Sequence, residues 1–232
     1  AGVGNVRIIR GNYADLPEIL HSMEIAQVDG ILLDLGISMH QALSAQRGFS
    51  IKNPGPLDMR FSIDQKVTAY ELVNSLSEEQ LADIIYRYGE ERRARRIAKA
   101  VVEARKVKPL ETTDELADLV ARTVGYRGRI HPATRVFQAL RIATNRELDN
   151  LQEALPRIFQ VVKEGGRLAV ISYHSLEDRI VKQFFKTWEE EGKGLRVTKK
   201  VVKPSLEEIN ENPSSRSAKL RVFKKGVGGN EN

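Results

Sequence analysis

Apolar residues in this chain gather in short runs closed off by turn residues instead of alternating with polar ones. Val6–Arg10 is one such run and ends at the Gly11-Asn12 turn. Val28-Asp-Gly-Ile-Leu-Leu-Asp34 is a second, and Arg167-Leu-Ala-Val-Ile-Ser-Tyr173 a third. Runs of this kind predict strands buried on both faces of a parallel sheet. Two further strands, Leu195–Val202 and Lys219–Phe223, flank a polar excursion, and the tail Gly226–Asn232 reads as disordered.

Helical spacing takes over in the middle of the chain, from Thr68 to Thr123. Ser77-Glu-Glu-Gln80 and Thr112-Thr-Asp-Glu115 are capping boxes, opening helices over Leu81–Tyr88 and Leu116–Thr123. Between them Glu90–Arg105 is helical, with Ile97, Val101 and Val102 on one side and arginines around the rest. Pro17–Met23 is weakly helical. Pro132 suits a first helical turn, and Ala133–Phe159 is a long helical stretch with a kink expected near Asn145. Gly165-Gly166 is read as its end, and Ile180–Glu190 as one more helix. From Ser44 to Lys66 the pattern dissolves into Gly, Pro, Asn and charge, a loop long enough to be functional or mobile.

Strand patterns therefore sit at both ends and helices between them. The simplest architecture is an α/β sheet domain of residues 1–41 and 132–232, carrying an inserted helical domain over 42–131. In such sheets ligands gather at the carboxyl ends of the strands. Three of these ends carry polar or aromatic groups: Asn12-Tyr13, Asp34, and Ser172 to His174.

Composition narrows the chemistry. The 232 residues carry a formal charge of +6, which suits a polyanionic partner without requiring one. Cysteine is absent, which removes disulfides and thiolate metal sites, and the four histidines lack metal-ligand spacing, so no metal is expected. No apolar run reaches the length of a membrane span and no signal peptide is visible, so a cytoplasmic protein is expected. The chain opens without Met, almost directly into a strand-like run, and reads as a cut piece.

At the rim, Ser175 can cap the following helix, with Glu177 and Asp178 complementing its dipole. His174 lies outside that account, so a ligand-facing role stands beside a structural one. Asp34 precedes Leu-Gly-Ile-Ser38 and can cap that turn or bind ligand hydroxyl, amine or ammonium groups.

A set of longer stretches then occurs in one order: "DGILLDLGISMHQ" (29–41), "RGFSIKNPGPLDMRF" (47–61), "YGEERRARRIAKAV" (88–101), "HPATRVFQALRIATNRELDNL" (131–151), "GGRLAVISYHSLEDRIVKQFF" (165–185) and "KPSLEEINENPSSRSAKLR" (203–221). Over nearly its whole length the chain resembles the bacterial ribosomal RNA small subunit methyltransferase H family, also called MraW. The resemblance implies S-adenosylmethionine-dependent methylation of the exocyclic N4 of a cytidine in the decoding region of 16S ribosomal RNA. It also implies a Rossmann-like methyltransferase core with an inserted helical domain.

Residue by residue, the resemblance carries cofactor binding onto Tyr13, Asp34 and Gln41. The family's glycine-rich loop and ribose-binding acid, on two strands that should precede Val6, have no counterpart here, and Gly2-Val-Gly4 is no substitute. At least one β-α-β unit, about 30 residues, is absent. Residues 1–232 alone are therefore expected neither to bind S-adenosylmethionine measurably nor to methylate RNA, and the uncovered strand edge leaves a homodimer open.

Cytosine N4 is a poor nucleophile because its lone pair is delocalised into the ring. Catalysis then rests on holding the amine in line with the sulfonium methyl, which needs no metal. Asp34, Ser38, Ser172 and His174 are the candidates for amine contacts, with His174 placed first as the catalytic group. The base must leave its stack, so a lid is expected: Phe49, Pro56, Leu57, Met59 and Phe61, with Asp58 and Arg60 among them, form it or pack on one another. Arg92, Arg93, Arg95 and Arg96 spread around one helix as an RNA phosphate footprint or a solvated face. Arg127, Arg129, Arg135 and Arg141 extend the footprint. A methyltransferase for DNA or a small molecule, and a non-catalytic RNA-binding protein, are the rival readings.

Overall fold

The structure is a computed structural model and describes residues 5–38, 41, 44–126 and 130–226. The chain folds as two compact units, Ala1–Gly36 with Leu148–Asn232, and Ile37–Glu147.

The first unit is mixed α/β. Its sheet contains β1 (Val28–Asp34), β2 (Val162–Ser172), β3 (Gly194–Arg196) and β4 (Lys219–Lys225), in the order β1-β2-β4-β3. β1 and β2 are parallel, with Asp34 opposite Ile171; β4 runs antiparallel to both β2 and β3. The helices of this unit are α1 (Leu16–Ser22), α7 (Glu147–Gln160, from its second residue on), α8 (Ser175–Glu190) and α9 (Leu206–Glu211). Leu33 of β1, Leu168 and Val170 of β2 and Phe223 of β4 pack with Leu151, Leu155 and Ile158 of α7 and with Phe185 and Trp188 of α8. The Trp188 ring stacks on Phe159 at 4.2 Å between centroids. The burial expected on both strand faces is not met in β1, where Leu33 is packed into this core but Leu32 is 62% exposed.

Two strand expectations change here. Val6–Arg10 forms no strand; Ile8 is 94% exposed, and no described strand pairs with this run. An apolar run becomes a strand only when its backbone groups find a ladder. The Leu195–Val202 strand shrinks to Gly194–Arg196, with a lone bridge from Val202 to Leu220. Gly165-Gly166, read as a helix end, lies inside β2 instead. The register jumps there, Val28 facing Val162 while Gly30 faces Arg167. A Cβ on Gly166 would meet the Asp29 carbonyl oxygen at 2.8 Å, so only glycine fits that bulge.

The second unit contains α2 (Ala69–Ser75), α3 (Glu78–Gly89), α4 (Ala94–Val107), α5 (Thr113–Val124) and α6 (Thr134–Asn145), and its described residues hold no strand beyond a bridge from Pro56 to Thr112. Both capping boxes form as expected, Ser77 with Gln80 and Thr112 with Glu115, and a third, Thr68 with Glu71, opens α2. Its core gathers Leu81 and Ile85 of α3, Ile97 and Val101 of α4, Leu116 and Val120 of α5, and Val136 and Leu140 of α6. The long stretch expected over Ala133–Phe159 breaks at Arg146, whose φ of 49° is left-handed. That break separates α6 from α7, and α6 packs with the helices of the second unit. No helix among the described residues is long and apolar enough to cross a membrane.

Candidate functional site

The carboxyl ends of β1 and β2 lie side by side, because parallel strands put the same chain end at the same rim. Asp34 ends β1 with its carboxylate exposed. Tyr173, one residue past β2, donates from its hydroxyl to Asp34 Oδ1 at 2.9 Å. Burial and this carboxylate push the Tyr173 phenol up to about 12. Gly36 follows Asp34 at φ 97°, a left-handed turn that takes the chain away from the strand end. Tyr13 is half-buried and starts a short 3-10 turn, capped by Asn12, whose Oδ1 accepts from the Ala14 N–H at 3.0 Å. Tyr173 was not among the expected site residues. Its signal was its place beyond a buried strand, but the β1–β2 register that brings it to Asp34 is not written in the sequence.

His174 has a different place from the one expected. It is the N-cap of α8: Nδ1 accepts the Glu177 N–H at 3.3 Å, and the Glu177 carboxylate accepts the Tyr173 and His174 N–H groups at 2.9 and 3.3 Å. Capping therefore accounts for His174, contrary to expectation, and Ser175, the expected cap, is the first helical residue. The His174 side chain is only 9% exposed. With Nδ1 accepting, the neutral ring carries its proton on Nε2. That atom is buried and makes no hydrogen bond among the described residues, although Glu177 Oε1 lies 3.3 Å away. Ser172 is buried as well, and its hydroxyl reaches the Lys219 carbonyl at 3.4 Å across the β2–β4 ladder. Asp178 and Arg221 join α8 to β4 through two bonds of 2.7 and 3.0 Å.

In the second unit Gln41 is tied by both ends of its amide. Its Oε1 accepts from the Ser38 N–H at 3.2 Å, and its Nε2 donates to the Phe61 carbonyl at 3.2 Å. The Ser38 hydroxyl accepts in return from the Gln41 N–H at 3.2 Å. An amide nitrogen carries two N–H groups, and the second has no partner among the described residues.

The lid expected over Phe49 to Phe61 is not a free flap. Leu57 and Met59 are 1% and 0% exposed within the helical core, and Phe49 packs against it. Asp58 and Arg60 form a two-bond ion pair with each other, both bonds at 2.9 Å. Burial opposes ionisation of Asp58, but the bonds and charge of Arg60 outweigh it and hold the carboxyl below its usual range. Both groups are therefore occupied internally.

The arginine cluster divides. Arg93 donates to Glu91 Oε1 at 3.2 Å and to the Val124 carbonyl at 2.8 Å. Arg135 reaches the Glu90 carbonyl at 3.2 Å, with Glu91 at 3.9 Å. Glu91 is buried, which alone would raise its carboxyl, yet the Arg93 bonds and the two arginine charges lower it. Arg141 is likewise paired, with Glu147, at 2.8 and 2.9 Å. Arg92, Arg95 and Arg96 are exposed, have no ion pair among the described residues, and line a cleft of about 750 Å³ with Tyr86, Glu79 and Asp83. Arg127 and Arg129 lie outside the described residues.

The MraW methylase family model matches residues 2–226. This chain belongs to the MraW methylase family. A relative named ribosomal RNA small subunit methyltransferase H from Coprothermobacter proteolyticus is 97% identical over all of this chain and 78% of its own length. Proteins of the same name from Persephonella marina and Syntrophotalea carbinolica are each 50% identical, over 96% and 95% of this chain and 76% of their own lengths. Membership in a methylase family sets aside the reading of a purely RNA-binding protein.

Proposed function

We propose that this protein is the S-adenosylmethionine-dependent N4-methyltransferase of a cytidine in the decoding region of 16S ribosomal RNA. The observation that carries this reading is the family match across the chain, with relatives that bear the ribosomal RNA methyltransferase name. In this reading the sheet unit is the Rossmann-like methyltransferase core and Ile37–Glu147 is a helical insertion that meets RNA.

Tyr13, Asp34 and Gln41 would hold the cofactor, which when bound supplies an electrophilic methyl group. Asp34 fits that role because its carboxylate is exposed at a strand end and Tyr173 engages only Oδ1. Gln41 fits it through the second N–H of its amide. Tyr13 offers a half-buried aromatic face. Transfer to the cytosine amine would exchange one amine proton for that methyl group. The enzyme's contribution to this step is orientation, worth several kcal/mol when the reacting atoms are held in line. His174 enters as a positioning residue that fixes the turn between β2 and α8. Arg92, Arg95 and Arg96 supply charge for RNA phosphates, while Arg93, Arg135, Asp58 and Arg60 hold the unit's own structure.

The test is methylation by the intact enzyme of small ribosomal subunits that lack the modification, followed by nuclease digestion and mass spectrometry. N4-methylcytidine at one decoding-region position is the expected product. Methylation of DNA or of free nucleosides at a comparable rate, or of adenine, would overturn the assignment.

A further inference from the structure

Met59 is the residue of the Leu57–Gln65 loop that most resists its own conformation. It has φ 58° without being glycine, and its side chain is fully buried. Non-glycine residues hold such a conformation only where their surroundings over-determine it, and they cluster at functional sites. The group that over-determines it is Asn145, the last residue of α6 and only 3% exposed. Asn145 Nδ2 donates to the Met59 carbonyl at 2.7 Å and to the Arg141 carbonyl at 2.8 Å. Its Oδ1 accepts the Phe61 N–H at 2.7 Å. One buried amide thus clamps the loop on both sides of Arg60.

The clamp does not end at Phe61. The Phe61 carbonyl accepts from Gln41 Nε2 at 3.2 Å and from Arg47 Nη2 at 3.0 Å. Phe61 is therefore held through its N–H by Asn145, while its carbonyl sets where the Gln41 amide can point. We infer that Asn145 is a positioning residue for the cofactor site, acting through the Phe61 backbone to orient the Gln41 side chain. This inference rests on the proposed contact between Gln41 and S-adenosylmethionine. Asn145 itself need not touch the cofactor.

A double-mutant cycle in the intact enzyme, with S-adenosylmethionine titrated by calorimetry, tests it. Calorimetry separates the fraction of competent enzyme, read as stoichiometry, from the Kd of that fraction. Asn145→Ala is expected to raise Kd about five- to tenfold, the effect of losing one hydrogen bond, with stoichiometry unchanged. A purely structural role would lower the stoichiometry and leave Kd in place. In a Gln41→Ala background the Asn145 substitution is expected to add nothing to Kd, because the two act on one contact. Should Asn145→Ala not fold, Asn145→Asp keeps the acceptor for the Phe61 N–H and turns the group facing the Met59 carbonyl from donor to acceptor. Two facing acceptors repel and push the loop that carries Phe61 away, so Kd is expected to rise in the same direction. If the Asn145 variants bind as wild type while Gln41→Ala binds weakly, the relay is wrong and the Gln41 contact stands. Additive effects would equally overturn the relay. Wild-type affinity in Gln41→Ala would remove both the contact and the relay.

Discussion

The Tyr173 hydroxyl donates to Asp34 Oδ1 at 2.9 Å, tying the residue just past β2 to the last residue of β1. The bond orients the candidate cofactor acid and does not engage Oδ2. Asp34→Ala is expected to weaken S-adenosylmethionine binding by the value of a charge-assisted hydrogen bond, about 1.5–3 kcal/mol. Tyr173→Phe should weaken it less, since the acid survives. Unchanged affinity in the Asp34 variant, measured by calorimetry, would remove that residue from the site.

The same pair carries a spectroscopic prediction. Burial and the neighbouring Asp34 charge push the Tyr173 phenol up to about 12. Asp34→Asn removes the charge and part of the bond, so the phenol should ionise at lower pH. The difference between the two proteins' phenolate absorbance in an alkaline titration isolates Tyr173 from the other five tyrosines. Superimposable titrations would mean the bond is absent in solution.

His174→Ala should cost about 1–2 kcal/mol of stability in a denaturant titration, the usual value of a lost N-cap. His174→Asn supplies a good capping oxygen without an imidazole and should recover most of that stability, together with the rate of methyl transfer. A folded His174→Asn enzyme with a rate as low as the Ala variant would return His174 to direct contact with the reacting base.

Replacing Arg92, Arg95 and Arg96 with Gln should flatten the salt dependence of RNA binding, by up to about one unit of slope for each phosphate no longer neutralised. Arg93→Gln should act otherwise. It removes the side-chain bond to the buried Glu91 carboxylate and frees the Val124 carbonyl, so it should lower thermal stability with little change in slope. Equal slopes for wild type and the triple variant would make those arginines a solvated face.

Glu115 closes the capping box at the start of α5 and pairs with Lys108 at 2.8 Å. The bond from Lys108, then those from the backbone, hold its carboxyl down at about 2. Because the folded value lies below the ordinary 4.5, its contribution is complete above that pH and fades as the pH falls toward 2. Wild type should therefore lose its stability advantage over Glu115→Gln across that window. Partial exposure keeps the effect small, and a constant difference in melting temperature from about pH 5 to about pH 2.5 would contradict it.

What the sequence determined by itself was local or cumulative. Capping boxes at Ser77 and Thr112 are four-residue chemistry and formed as read. The alternation of strand-like ends and a helical middle follows from periodicity, and ordered motifs along the chain carried the family. Asp34 at a strand end was legible because an acid closing an apolar run is conspicuous. Tertiary structure decided whatever depended on a partner far along the chain. Val6–Arg10 lacks a strand because a ladder needs a second backbone, which no apolar run can supply for itself. His174 could not be read as a cap, since imidazole is an uncommon one, and the geometry that aims Nδ1 at Glu177 exists only once β2 turns into α8. The arginines looked alike in sequence, and only packing separated Arg93, bound to a buried acid, from Arg92, Arg95 and Arg96. Asn145 meets Phe61 across the fold, and no local pattern announces a hydrogen bond between residues so distant in sequence.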